Sequence, residues 1–117
     1  ADVEKIVTDA ATSHGFDTRA VQSNHEGALI DAIHAAREDC AGIVINPAGL
    51  TFTSIPILDA LKMFPGPVFE LHISNIHRRE AIYHESLVAK TATAVIAGLG
   101  PDGYPTAVAA MVRLLEK

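Results

Sequence analysis

Apolar and polar positions come in blocks along this chain, and their period changes from block to block. Over Asp2–His14, Val3, Ile6, Val7, Ala10 and Ala11 recur at helical spacing and Gly15 follows as a stop, which predicts a helix. Phe16–Ser23 alternates instead and predicts a modest strand containing Ala20–Ser23. His25–Arg37 places Leu29, Ile30, Ile33 and Ala36 on one helical face, with Asn24 as the expected N-cap. Ala41–Ile45 is a continuous apolar run of the kind buried on both faces of a sheet, and it gives way to the loop Asn46-Pro47-Ala48-Gly49. Thr53 or Ser54 can cap a helix that ends near Met63, with Pro56 in its first turn. Phe64-Pro65-Gly66-Pro67 reads as a turn, Val68–Ile73 as a strand and Ser74–Glu80 as a polar loop. Ala92–Leu99 is the last expected strand, and Pro105–Leu115 is a closing amphipathic helix.

Short strands alternating with helices predict an α/β fold, a parallel sheet covered by helices on both faces. The chain reads as a single domain over residues 1–117, without linkers, repeats or low-complexity stretches. A split or half-swapped variant of that architecture is equally compatible with the pattern. The order is unusual in one respect, because it starts with a helix. In a flavodoxin-like sheet the first strand lies inside, between the second and third. Leaving that position empty would strand interior backbone groups at about 1–3 kcal/mol for each buried one. Either another segment is expected to fill it, or the natural chain is expected to extend upstream of Ala1.

Composition narrows the function classes. Apolar residues make up 49% of the chain, enough for a core without metal or disulfide staples. The formal net charge is −5, no basic run is present, and the aromatics are four Phe and two Tyr. A nucleic-acid surface, which needs clustered Lys and Arg, is not expected. A small anionic substrate is compatible with these numbers, since a pocket can be locally positive on an acidic protein. The single Cys40 cannot form an internal disulfide, which suits a reducing cytoplasm. No apolar run approaches the roughly 20 residues of a membrane span, and no signal-peptide pattern is visible.

Ligands of open α/β sheets bind beyond the carboxyl ends of the strands, and two polar loops are expected there. One carries Asn46, Thr51, Thr53 and Ser54; the other runs from Ser74 to Glu80. In the strand before the second loop, period two puts Glu70, His72 and Ser74 on one face with Val68, leaving Phe69, Leu71 and Ile73 on the other. A carboxylate two residues before a histidine can orient the ring and raise its basicity for proton transfer. The same pair can equally be a buried Glu–His contact that only satisfies hydrogen bonds. His14, His25 and His34 fall on helices or their ends with no metal-ligand spacing, so no metal is expected. Gly98-Leu99-Gly100 is better explained by a turn than by a phosphate loop.

Four stretches in order are similar to the type II 3-dehydroquinate dehydratases. Gln22-Ser23-Asn24-His25-Glu26-Gly27 with Leu29-Ile30-Asp31 resembles that family's Q-S-N-H-E-G-x-L-I-D stretch. Ile43-Val44-Ile45-Asn46-Pro47 with Thr51, Thr53 and Ser54 resembles I-N-P-x-x-x-T-H-T-S. Glu70-Leu71-His72-Ile73-Ser74-Asn75-Ile76-His77 with Arg79-Glu80 resembles E-V-H-[LI]-S-N-I-H-x-R-E, and Gly98-Leu99-Gly100 through Gly103-Tyr104 resembles G-L-G-x-x-G-Y. The resemblance implies a flavodoxin-like fold, assembled as trimers into a dodecamer. It implies reversible dehydration of 3-dehydroquinate to 3-dehydroshikimate through an enolate, without a cofactor. In that family a lid tyrosine, helped by a lid arginine, removes the proton beside the ketone, and a histidine protonates the departing hydroxyl. By resemblance His72 is that histidine and Glu70 its partner. Asn46 is a substrate-binding asparagine, Ile73 and Ser74 hold the substrate carboxylate, and Asp59 reaches a neighbouring subunit's site.

The chain departs from the pattern at several points. The family's opening strand, its N-G-P-N-L-N segment and its lid are not in this sequence. Phe52 replaces the histidine of T-H-T-S, Tyr83 stands where an arginine is usual, and Leu50 where a tyrosine is common. These departures leave an alternative open: a non-catalytic or substrate-diverged homologue acting as a binding or assembly module. A receiver-like module is disfavoured because the strand over Ala41–Ile45 ends in Asn46 and not in a phospho-accepting aspartate. A Schiff-base route needs a desolvated lysine, whereas Lys5, Lys62, Lys90 and Lys117 fall in helices, turns or the terminus.

Overall fold

A computed structural model describes residues 2–117, the side chains of Asp2 and Tyr83 excepted. Helix α1 (Asp2–Ser13) and helix α2 (Glu26–Asp39) precede strand β1 (Ile43–Ile45), helix α3 (Ile55–Lys62) and strand β2 (Val68–His72). Strand β3 (Ala94–Ala97) and helix α4 (Gly103–Leu115) complete the chain, with short 3-10 turns in the connections. The three strands are parallel in the order β1-β2-β3, with Ile45 beside Glu70 and His72 beside Ala97.

Alternation on the strands sorts the core into two layers. Ile45 and Val68 pack with Ile33, Ile57, Leu61 and Phe64 beneath α2 and α3. Phe69 and Leu71 face the other way, against Tyr104, Ala107 and Met111 of α4, and α1 packs on α4 behind them. Every residue of β2 is buried, as the central strand of a covered parallel sheet must be. Fully burying an aliphatic side chain such as Ile57, Leu61 or Leu71 contributes about 1.5–3 kcal/mol.

Local chemistry sets the helix ends. The Ser54 hydroxyl accepts from the Ile57 N–H at 3.0 Å and donates to the Glu26 carboxylate, which ties the start of α3 to the first turn of α2. The N-cap of α2 is His25, not Asn24; its backbone N–H donates to the Ser23 hydroxyl at 3.0 Å, so the local side-chain bond lies one residue earlier than expected. Helix α4 starts at Gly103, ahead of the expected Pro105. A Cβ at Gly103 would meet Leu71 at 3.4 Å, an ordinary contact, so the start of the helix lies against β2 without depending on glycine.

The expected strand at Ala20–Ser23 does not form; residues 16–23 carry no strand pairing. Alternation is a local property, but a strand also needs a hydrogen-bonded neighbour. Between this segment and β1 lies an apolar trough of about 630 Å³, lined among others by Phe16, Val21, Val44 and Met111. The segment is instead fixed at its side by Arg19, which grips both carboxylate oxygens of Asp39. That guanidinium holds the Asp39 carboxyl below its ordinary range. Ile43 donates its N–H to Pro67 at 3.0 Å on the β2 side. By alternation, the N–H and C=O of Val44 point the other way, towards the trough.

Candidate active site

The carboxyl ends of β1 and β2 open into a second, smaller cleft of about 200 Å³, bordered by Asn46, Phe52, His72, Ile73, Ser74 and Arg79. The two polar loops identified from the sequence therefore meet, because their strands are neighbours in the sheet.

At the base of the cleft lies the Glu70–His72 pair. Glu70 is completely buried and His72 is 5% exposed. Glu70 Oε2 lies 2.5 Å from His72 Nε2. A carboxylate can only accept, so the ring proton of this bond belongs to Nε2, and Nδ1 is left for exchange. A buried carboxylate must be paired and hydrogen-bonded, and Glu70 is. The Ser86 hydroxyl lies 2.8 Å from Oε1 and 3.0 Å from Oε2, and the Thr51 hydroxyl is 3.4 Å from Oε2. Ser86 accepts in turn from the Ala89 N–H at 2.9 Å. Val88, fully buried in the core between them in sequence, anchors that turn. The Phe52 ring lies over His72 with centroids 6.2 Å apart and planes at 23°.

The rim is built from side chains held by short local bonds. Asn46 donates from Nδ2 to the Tyr104 hydroxyl at 3.1 Å and accepts the Ala48 N–H on Oδ1 at 3.2 Å. Both ends of its amide are thus fixed, next to Ala48 in the left-handed region at φ 51°. Ser74 accepts from Arg79 Nη2 at 2.8 Å. The loop from Ile73 to Asn75 rests on the glycine turn: Gly100 donates to the Ile73 carbonyl at 2.9 Å, and a Cβ at Gly98 would lie 3.3 Å from Asn75. Positive φ at Gly98 (89°) and Gly100 (63°) explains the glycines without a phosphate.

Of the residues singled out in the sequence, Asn46, Glu70, His72, Ile73 and Ser74 converge here. Asp59 does not; it is exposed on α3. Leu50 packs at the edge of the α2–α3 core. The Tyr83 side chain lies outside the described residues. Ser86 and Tyr104 were given no role in the sequence reading, and neither was Arg79. Tyr104 and Arg79 lie inside the family-like stretches; Ser86 carries no local signal. Among the described residues, no group of three or more His, Cys, Asp or Glu could hold a metal ion, and no helix is long and apolar enough to cross a membrane.

The model of the family described as dehydroquinase class II matches residues 1–112. A 3-dehydroquinate dehydratase of Cereibacter sphaeroides (strain ATCC 17029 / ATH 2.4.9) is 55% identical over 108 residues, covering 92% of this chain and 74% of its own length. A catabolic 3-dehydroquinase of Pyricularia oryzae is 50% identical over 118 residues, covering 99% and 75%. Among solved structures, a type II dehydroquinase from Propionibacterium acnes superposes with a TM-score of 0.91 at 36% identity, covering 96% of this chain and 77% of that one.

Proposed function

The chain belongs to the class II dehydroquinase family, and from that premise we propose how its cleft carries out the reaction. The chain is a 3-dehydroquinate dehydratase, a hydro-lyase of flavodoxin-like fold. The observation that carries the site assignment is the buried Glu70–His72 contact at the mouth of the central strand.

Dehydration passes the proton beside the ketone to a base, by resemblance the family's lid tyrosine, whose segment is not in this sequence, and then expels a hydroxyl from the neighbouring carbon. Hydroxide is a poor leaving group, so the second half needs an acid. His72 is that acid: its Nε2–H is committed to Glu70, and the proton on Nδ1 of the imidazolium passes to the departing oxygen, which leaves as water with the C–O electron pair. The imidazole left behind keeps its Nε2–H and its bond to Glu70. Asn46 orients the substrate, and the Ile73–Ser74 segment receives its carboxylate with Arg79 alongside. Phe52 covers the ring and limits access of water to it.

The test is the absorbance of the conjugated enone product after addition of 3-dehydroquinate. Asn46→Ala is expected to raise KM, by roughly the tenfold or more that a lost hydrogen bond of about 1.5 kcal/mol implies, and to change kcat less. A fall in kcat at constant KM would move Asn46 from binding to chemistry.

We further propose that the protein is cytoplasmic and works as a homo-oligomer, with trimers assembled into a dodecamer. Asp59 is exposed on α3 and outside its own cleft, which suits a reach into a neighbouring copy's site. Light scattering should show that assembly; a clean monomer at micromolar concentration would remove the shared site.

A further inference from the structure

Ser86 lies 16 positions beyond Glu70, outside both polar loops, and yet it makes the closest hydroxyl contact to that buried carboxylate. Its neighbours favour one orientation. The Ala89 N–H occupies a lone pair of the hydroxyl at 2.9 Å. A hydroxyl has one proton, and the nearest acceptor is Glu70 Oε1 at 2.8 Å. The Thr51 hydroxyl stands 3.3 Å from Ser86 Oγ and 3.4 Å from Glu70 Oε2, closing the same ring of contacts.

This geometry has a consequence for His72. A carboxylate can rotate about its terminal torsion, which is broad and nearly two-fold. Rotation would carry Oε2 away from Nε2 and release the ring to the other tautomer. The Ser86 hydroxyl reaches both oxygens, Oε1 at 2.8 Å and Oε2 at 3.0 Å, so rotation of the carboxylate disturbs a buried hydrogen bond and Oε2 stays on His72. Val88, fully buried, prevents the turn that carries Ser86 from drifting.

We infer that Ser86 is a positioning residue for the proton transfer: its hydroxyl, aimed by the Ala89 N–H, locks the Glu70 carboxylate and through it keeps His72 in the Nε2–H tautomer, with Nδ1 as the exchanging nitrogen. The inference rests on the reading of His72 as the acid. Ser86 touches no substrate; it acts through Glu70.

The experiment uses the full chain with 15N-labelled histidine. Long-range 1H–15N spectra report which ring nitrogen of His72 carries the proton, independently of turnover. Wild type is expected to show the Nε2–H form, and Ser86→Ala a mixture of both tautomers. In the enone assay, Ser86→Ala should lose roughly 10- to 100-fold in kcat, the range typical when a partner that orients a functional histidine is removed, with KM unchanged. Ser86→Thr, which keeps the hydroxyl, should restore both readouts. A single Nε2–H tautomer in Ser86→Ala overturns the inference whatever the stability of the variant, because it leaves Ser86 only its bond to Ala89. Mixed tautomers with a wild-type kcat also overturn it. If a wild type that carries the family's lid shows no turnover while Ser86→Ala mixes the tautomers, the positioning role stands and the assignment of His72 as the acid fails.

Discussion

His72→Ala is expected to lower kcat by about 10²–10⁴-fold, the usual contribution of a positioned acid or base, with the circular dichroism spectrum and the sheet intact. The ring lies at the last residue of β2, where its removal opens space towards the cleft and not within the core. The variant also leaves Glu70 without its imidazole partner. The carboxylate keeps Ser86 and Thr51 at hydrogen-bond distance, so the fold tolerates the loss. Equal rates for wild type and His72→Ala, both well above background, would overturn the assignment. His77 is expected to matter less, because it is exposed beyond Ser74 and its ring lies against His84, with centroids 6.1 Å apart.

One residue earlier on the same strand the expected effect is of the opposite kind. Leu71 is fully buried among Tyr104, Ala107 and Met111. Leu71→Ala should destabilise the fold by about 2–5 kcal/mol, from the lost transfer free energy and the cavity left behind. In thermal unfolding this corresponds to a fall in Tm of roughly 8–20 °C, taking about 4 °C for each kcal/mol in a domain of this size. At a temperature where the variant is still folded, its kcat should remain near wild type. A variant that unfolds at the wild-type temperature would show that α4 does not pack on β2 as described.

Much of this arrangement is legible in the sequence because it depends on local periodicity. The apolar runs at Ala41–Ile45 and Val68–Ile73 give strands β1 and β2, and period two alone places Glu70 and His72 together. What fails is what depends on a distant partner. The alternation of Phe16–Ser23 is genuine, but no strand lies beside it, so Arg19 and Asp39 fix the segment instead of a ladder. The cap of α2 shifts by one residue because the Ser23 hydroxyl takes the His25 N–H. The supports of the site are equally remote: Tyr104 meets Asn46 across 58 positions and Ser86 meets Glu70 across 16. Neither pair follows from helix or strand periodicity along the chain. The stacking of Phe52 on His72 also emerges only once the β1 and β2 loops are side by side.

The central strand is both the middle of the core and the floor of the cleft, and this constrains how the protein can change. In Val68–His72 each position either packs in the interior or belongs to the Glu70–His72 pair, and all five are buried. A substitution there threatens stability or chemistry, with no neutral face on which variation could accumulate. The loops are freer, since Asn46, Ile73, Ser74 and Arg79 are exposed on connections whose length and composition the sheet does not dictate. Altered substrate preference is therefore accessible to a protein of this design through its rim, while the strand that carries the proposed acid is held still by the same packing that keeps the chain folded.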